Sequence, residues 1–140
     1  MGFLRGLARV VLGLALSVVF IMAAAVKLSP QVNKEVHEEL AQEFAQKYSE
    51  IWMVSEFGIT HEEFRMAIGG LEIVLVLLLW VLPRFSALML SSIMAGAIYT
   101  HYAAHDPPVK MAVCGILMAL LFAFMLLSGP QPKTGKKKRA

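Results

Sequence analysis

The sequence predicts an all-α fold, a four-helix transmembrane bundle with a lumenal helical segment between helices 1 and 2. Three observations carry that expectation. Hydrophobic residues make up 58% of the 140 residues, above the roughly 45–50% apolar usage of soluble domains. Four apolar runs stand out, Val10–Val26, Met66–Leu82, Phe85–Tyr102 and Met111–Leu127. Each holds about 17–18 residues, the low end of what crosses a hydrocarbon core of roughly 30 Å at about 1.5 Å per residue. The charges between the runs are segregated by sign, as they are around membrane-crossing helices.

Membrane helices are expected at about 7–27, 64–82, 85–103 and 108–128, within one four-helix membrane domain over 1–127. The first run also reads as a secretory leader, with Arg5 and Arg9 as its basic start and Ala23-Ala24-Ala25 as a cleavage site. Its apolar stretch exceeds the usual ~7–15 residues of a leader, which favours retention as a helix. Only Pro83 and Arg84 separate the second run from the third, so those two must form a tight antiparallel hairpin. His105–Lys110 joins the third to the fourth, and such short connections give an up-and-down bundle.

The lumenal segment, residues 29–58, is expected to be helical. Ser29-Pro30 reads as an N-cap with proline at the first helical position, and Gly58 as a stop. Thr60 with Glu63 forms a capping box that opens the second membrane helix. Between these, Val32, Val36, Leu40, Phe44, Tyr48 and Trp52 recur every four residues. An α-helix turns in about 3.6 residues, so this stripe winds round it and the segment must bend, break or wrap over the bundle. It is either a lid packed on the other helices or a docking surface. As possible client contacts, Tyr48, Trp52 and Met53 stand out, with Gly69 and Gly70, where another backbone can approach. Residues 129–140 carry glycine, proline and five basic residues without an apolar face, and are expected to be a disordered cytosolic tail.

Charge sets the orientation. Arg5, Arg9, Arg84 and the basic tail share one side with no acid among them, while nine acids from Glu35 to Asp106 fall on the other. The positive-inside rule then places both termini in the cytosol, in a multi-pass arrangement. The formal charge of +3 sits beside membrane segments, so nucleic acid is not expected as a partner. The single cysteine, Cys114, supplies neither a disulfide framework nor a CxxC pair, and no phosphate-binding glycine motif is present.

Glu72 is the most informative residue. It lies about seven residues, or about 10 Å, inside the second membrane helix, where an ionisable group costs about 2.5–3.5 kcal/mol and needs a partner. Lys27 closes the first helix on the same side and is the natural partner, an intramembrane polar pair that would pin the two helices. A protonated Glu72, or one exposed in a cleft, is the alternative. Small residues at Gly115, Ala119 and Ala123, and at Ser92 and Gly96, form ridges suited to helix packing. Nine methionines suit bundle packing first and an adaptable binding surface second. His101 and His105 share a helical face, and with His37 and His61 a metal site is one reading. Asp106-Pro107-Pro108 breaks the helix directly afterwards, with Asp106 as the cap of the fourth, so His101 and Asp106 are assigned to a polar lumenal end and no metal or cofactor is assigned. Lys137 and Lys138 read as a dilysine signal, recognised by coat proteins, that returns membrane proteins to the endoplasmic reticulum. Binding to anionic lipid is the alternative.

These pieces resemble the nicotinic acetylcholine receptor chaperones and their DoxX-like relatives. The resemblance spans roughly residues 10–127. It rests on Val26-Lys27-Leu28-Ser29-Pro30, on Arg65-Met66-Ala67-Ile68-Gly69-Gly70-Leu71-Glu72, on His101 with Asp106-Pro107, and on Ala112-Val113-Cys114-Gly115-Ile116-Leu117. The long acidic extension of some relatives is replaced by a short basic tail. The resemblance implies a four-helix chaperone of the endoplasmic-reticulum membrane. It would promote folding and assembly of ligand-gated ion channel subunits, such as those of nicotinic acetylcholine receptors, by binding and without catalysis. Its partners would be channel subunits and the lipid bilayer. The alternative is a DoxX-like membrane enzyme subunit or small transporter using a polar site around Lys27 and Glu72; a structural partner of a larger complex is a third reading.

Overall fold

The computed structural model describes residues 2–129, and every regular element among them is helical. Lys137, Lys138 and the rest of the basic tail lie outside the described residues. α1 (Gly2–Leu28) is a single helix of 27 residues without an internal proline. It starts five residues earlier than expected, because Arg5 and Arg9 carry the helix onward rather than ending it. α4 (His61–Leu78), α5 (Pro83–Ala103) and α6 (Pro108–Leu127) follow the remaining three apolar runs.

The starts of these helices have local causes. Thr60 accepts a hydrogen bond from the Glu63 amide at 3.1 Å, and the Glu63 carboxylate takes the Thr60 amide at 3.0 Å. Two donors at the open end of α4 are thereby satisfied, and the acidic residues there suit the helix dipole. α4 ends at Leu78, short of residue 82, in a turn held by Val81 and Leu82 amides bonding to the Leu78 carbonyl. Pro83 then opens α5, where its missing N–H costs nothing.

The intervening segment departs from expectation at its start. Ser29-Pro30 does not open a helix; Ser29 Oγ instead accepts from the Gln31 amide at 3.1 Å, closing a turn. The cap is Asn33, whose side chain accepts from the Val36 amide at 3.1 Å, and α2 runs Lys34–Glu43. It passes into a π-helical turn, Phe44–Tyr48, then α3 (Ser49–Ile51) and a 3-10 turn, Val54–Phe57, that Gly58 ends at φ 74°. Met53 sits at φ 51°, a left-handed conformation that is uncomfortable for a residue with a Cβ.

α1 packs chiefly on α4 and α5 on α6, and the two pairs close against each other through α1 with α6 and α4 with α5. The core is Leu16 and Phe20 of α1, Leu75 and Val76 of α4 with Leu79 beyond it, Ala87, Leu90 and Met94 of α5, and Leu121 and Phe124 of α6. Arg5 binds the carbonyls of Leu126, Leu127 and Gly129, and Arg9 binds Ser128 Oγ at 2.9 Å. Two arginines of α1 therefore satisfy the open carbonyl end of α6, where positive charge is favoured.

Gly13 marks the tightest contact. A Cβ there would meet Trp80 Cη2 at 2.9 Å and Phe124 Cε1 at 3.0 Å. Gly13→Val should cost about 1–3 kcal/mol through overpacking, read as a lower melting temperature in detergent. Gly115, whose added Cβ would meet nothing within 4 Å, should accept alanine without loss.

α1 and α6 are each long and apolar enough to cross a membrane. The outside of the helices is largely apolar, with Val11, Leu14 and Val18 of α1, Val74 and Leu77 of α4, Leu88 of α5 and Ile116 of α6 all exposed. Such a surface is costly in water and natural in lipid.

Candidate functional site

The two most distinctive stretches of the sequence meet in space. Lys27, in the last turn of α1, places Nζ 3.1 Å from Glu72 Oε1, and also reaches the Ala23 carbonyl at 3.4 Å. Glu72 is 2% exposed, and no hydrogen bond among the described residues reaches its Oε2. The helices approach closely because Gly69 faces them without a side chain. A Cβ at Gly69 would stand 3.1 Å from Leu28 and 3.2 Å from the Lys27 Cβ. Arg65, the first residue of the second of these stretches, is buried, and its Nε donates to the Lys27 carbonyl at 2.9 Å. It thus closes the carbonyl end of α1 over the pair. Its burial has no local signature, since the acceptor lies 38 residues away.

Beside this pair the helices line a partly open cavity of about 500 Å³. Phe20 and Ala23 of α1, Ile68 of α4, Ile93 and Ala97 of α5, and Leu117 of α6 form its apolar walls, with Lys27 and Glu72 on one side. Its roof is the stripe itself, for Leu40, Phe44, Tyr48 and Trp52 all line it. The π-turn explains how. Its hydrogen bonds reach five residues instead of four, so the turn is wider and side chains four apart stay on one face. The roof is fastened by edge-to-face contacts, Phe44 with Phe64 at 5.5 Å and Tyr48 with His101 at 5.7 Å between ring centres. Trp52 Nε1 donates to Thr100 Oγ1 at 2.7 Å and its ring lies over Gly96.

A polar cluster clamps the roof from outside, centred on Asp106. Lys47 Nζ lies 2.6 Å from Asp106 Oδ1, while the Tyr48 hydroxyl and His101 Nδ1 each donate to Oδ2 at 2.8 Å. Lys110 pairs with Glu43 at 3.0 Å beside it. Burial would raise the Asp106 pKa, but the bonds from Lys47, His101 and Tyr48 and the charge of Lys110 win, holding its carboxyl well below the usual range. Burial and then the hydrogen bond to Asp106, with Glu43 near, push the Tyr48 phenol up. The hydrogen bond to Asp106 raises Lys47, against a smaller loss of hydration. The sequence reading of Asp106 as the cap of the fourth helix is corrected: Pro107 holds the cap position of α6 without a side-chain bond. Asp106 instead ties the lid to the α5–α6 connection, aided by His105 at φ 60° turning the chain.

The structure sorts the remaining expectations. Lys27 and Glu72 come together, as do His101 and Asp106. Of the possible client contacts, Tyr48 and Gly69 are buried; Gly70 has open space around it, and Trp52 and Met53 are exposed. His37 donates to the Val26 carbonyl at 2.7 Å, away from His101. Among the described residues no three His, Cys, Asp or Glu side chains converge on a metal-sized site. Cys114 is buried and lines the cavity. A comparison with protein-family models and one with curated proteins each find no match.

Proposed function

We propose that this chain is a four-crossing protein of the endoplasmic-reticulum membrane that helps ligand-gated channel subunits, such as those of nicotinic acetylcholine receptors, to fold and assemble. It acts by binding, without covalent chemistry. The observation that carries the reading is the convergence of the two motifs on which the resemblance rests. Lys27-Leu28-Ser29-Pro30 and Gly69-Gly70-Leu71-Glu72 are far apart in the chain, yet Lys27 and Glu72 pair at 3.1 Å and Gly69 seats Leu28. They act as one unit, as a family core would.

Four crossings are supported by lengths and by aromatic placement. α5 has 21 residues and α4 has 18, about 31 and 27 Å against a hydrocarbon core of roughly 30 Å. Trp80 and Phe85 are exposed at one end of the helices and Tyr99, Tyr102 and Trp52 at the other, the belts that interfacial aromatics form. The apolar residues exposed on α1, α4, α5 and α6 would leave surface for an unassembled subunit.

The test is surface binding of a labelled receptor toxin on cells co-expressing a nicotinic-type subunit with this chain. The reading expects more assembled receptor at unchanged subunit transcript, and loss of that gain with Glu72→Leu. No gain across several subunits contradicts it. A second reading, a DoxX-like membrane enzyme subunit or small transporter, is favoured by one observation, the cavity that Lys27 and Glu72 border. That reading expects the cavity to turn over or pass a ligand rather than retain it.

A further inference from the structure

We infer that the cavity holds one neutral, sterol-sized lipid carrying a single hydroxyl, drawn laterally from the bilayer. The inference rests on the membrane reading above but not on the identity of any client. Four features of the cavity select that chemistry. Its volume of about 500 Å³ lies within the about 300–1,000 Å³ of small-molecule sites. It extends along α5 from Met89 to His101, about 18 Å, so it is elongated, and a two-chain lipid is too bulky to be enclosed by it.

Charge narrows the head group. Lys27 and Glu72 offset each other, so a charged ligand would meet no net opposite charge and would lose its hydration on entering. The pair still offers both polarities at one place, a carboxylate oxygen without a described donor and an ammonium. A hydroxyl is the neutral group that donates to the first and accepts from the second through one atom. A ketone can only accept, and an ether likewise. The remaining walls are mostly apolar or aromatic, with the roof of Phe44, Tyr48 and Trp52; the polar lining residues Ser92, Thr100 and His101 already bond to the Leu88 and Gly96 carbonyls and to Asp106.

Entry is from the side. Val19 of α1, Val113 of α6 and Met89 of α5 line the cavity and are also exposed on the apolar outside of the bundle. The Asp106 clamp meanwhile holds the roof shut at the polar end. A lipid can therefore pass between helices without crossing the lid.

The experiment uses the full chain in phosphatidylcholine vesicles with a trace of a diazirine sterol, and in parallel a diazirine diacylglycerol. After irradiation, labelled peptides are mapped by mass spectrometry. The proposal expects sterol label on the inward lining residues Met94, Cys114 or Leu117, removed by excess free sterol but not by its methyl ether. It expects the diacylglycerol probe to label only outward residues such as Leu14 and Leu77. Ala97→Phe and Val113→Trp, two separate ways to fill the space, should each lose the cavity label while keeping the melting temperature. Should either filled variant fail to fold, competition by sterol against its ether decides alone. Sterol label confined to outward residues, or equal competition by the ether, overturns the proposal. Release of the chain from membranes by alkaline extraction would overturn the membrane reading itself, a distinct failure.

Discussion

Asp106→Ala should be the most damaging single change outside the Lys27–Glu72 pair, costing about 3 kcal/mol. The carboxylate is buried and bonded to Lys47, Tyr48 and His101, so its removal strands three donors at once. Asp106→Asn can keep one acceptor oxygen for Tyr48 and His101, but it sets an amide NH2 against the Lys47 ammonium and loses that bond with the charge, so it should fall between. Melting in detergent, followed by protease sensitivity of residues 34–57, reads the effect as a lid that opens before the bundle melts. Its pH dependence follows from the depressed pKa. A carboxylate stabilised in this way contributes in full above its unfolded value of about 4 and loses that contribution only as pH falls through the lower folded value. The gap between the native chain and Asp106→Ala should therefore persist into mildly acidic solution and close only in strong acid. At the other extreme, Lys47 and Tyr48 both have raised values, so their contribution is whole below about pH 10 and is lost above it. A gap that closes already near pH 5 would contradict this account of the clamp.

The second large effect lies at the Lys27–Glu72 pair. Glu72→Leu alone leaves the Lys27 ammonium beside an apolar cavity, and Lys27→Met alone leaves a carboxylate that is 2% exposed without its cation. Each should cost about 3–5 kcal/mol. Lys27→Met with Glu72→Leu removes both charges and fills similar space, so the double variant should be more stable than either single one. A charge-swapped pair should likewise recover part of the abundance lost by either exchange. Equal loss in all of these variants would show that the two groups act separately.

Much of the architecture was legible because its causes are local. The capping box at Thr60 and Glu63, the stop at Gly58 and the hairpin at Pro83 are each written in four or fewer neighbouring residues. The four-residue stripe was legible as a conflict with the α-helical period, and a π-turn is one of the few ways to resolve it. What could not be read were long-range partnerships. Arg5 and Arg9 look like orientation signals, yet they reach the end of α6 more than a hundred positions away. Asp106 looks like a cap because two prolines follow it, and the local signal concealed partners at Lys47 and Tyr48. Asn33 displaced Ser29 as a cap because Pro30 and the turn it makes leave the serine oxygen to the Gln31 amide. The cavity was invisible for the same reason, since it is a space between helices and no residue spells it.

α4 and α5 carry more polar residues than α1 and α6, because Glu72, Arg65, Thr100 and His101 face inward to the pair, the cavity and the clamp. Polarity spent inside the bundle lowers the apparent hydropathy of a helix without placing charge in lipid. The reading of four crossings depends on that distinction.

It is tested most directly by topology. The native sequence has no N-glycosylation sequon, as Asn33 is followed by Lys34 and Glu35. Single acceptors on flexible inserts would be placed after Gly58, after Leu82 and after Asp106, and the chain translated into endoplasmic-reticulum membranes. Four crossings predict glycosylation after Gly58 and after Asp106 and none after Leu82, which turns on the cytosolic side. If only α1 and α6 cross, all three inserts share one side, and glycosylation after Leu82 would contradict the account.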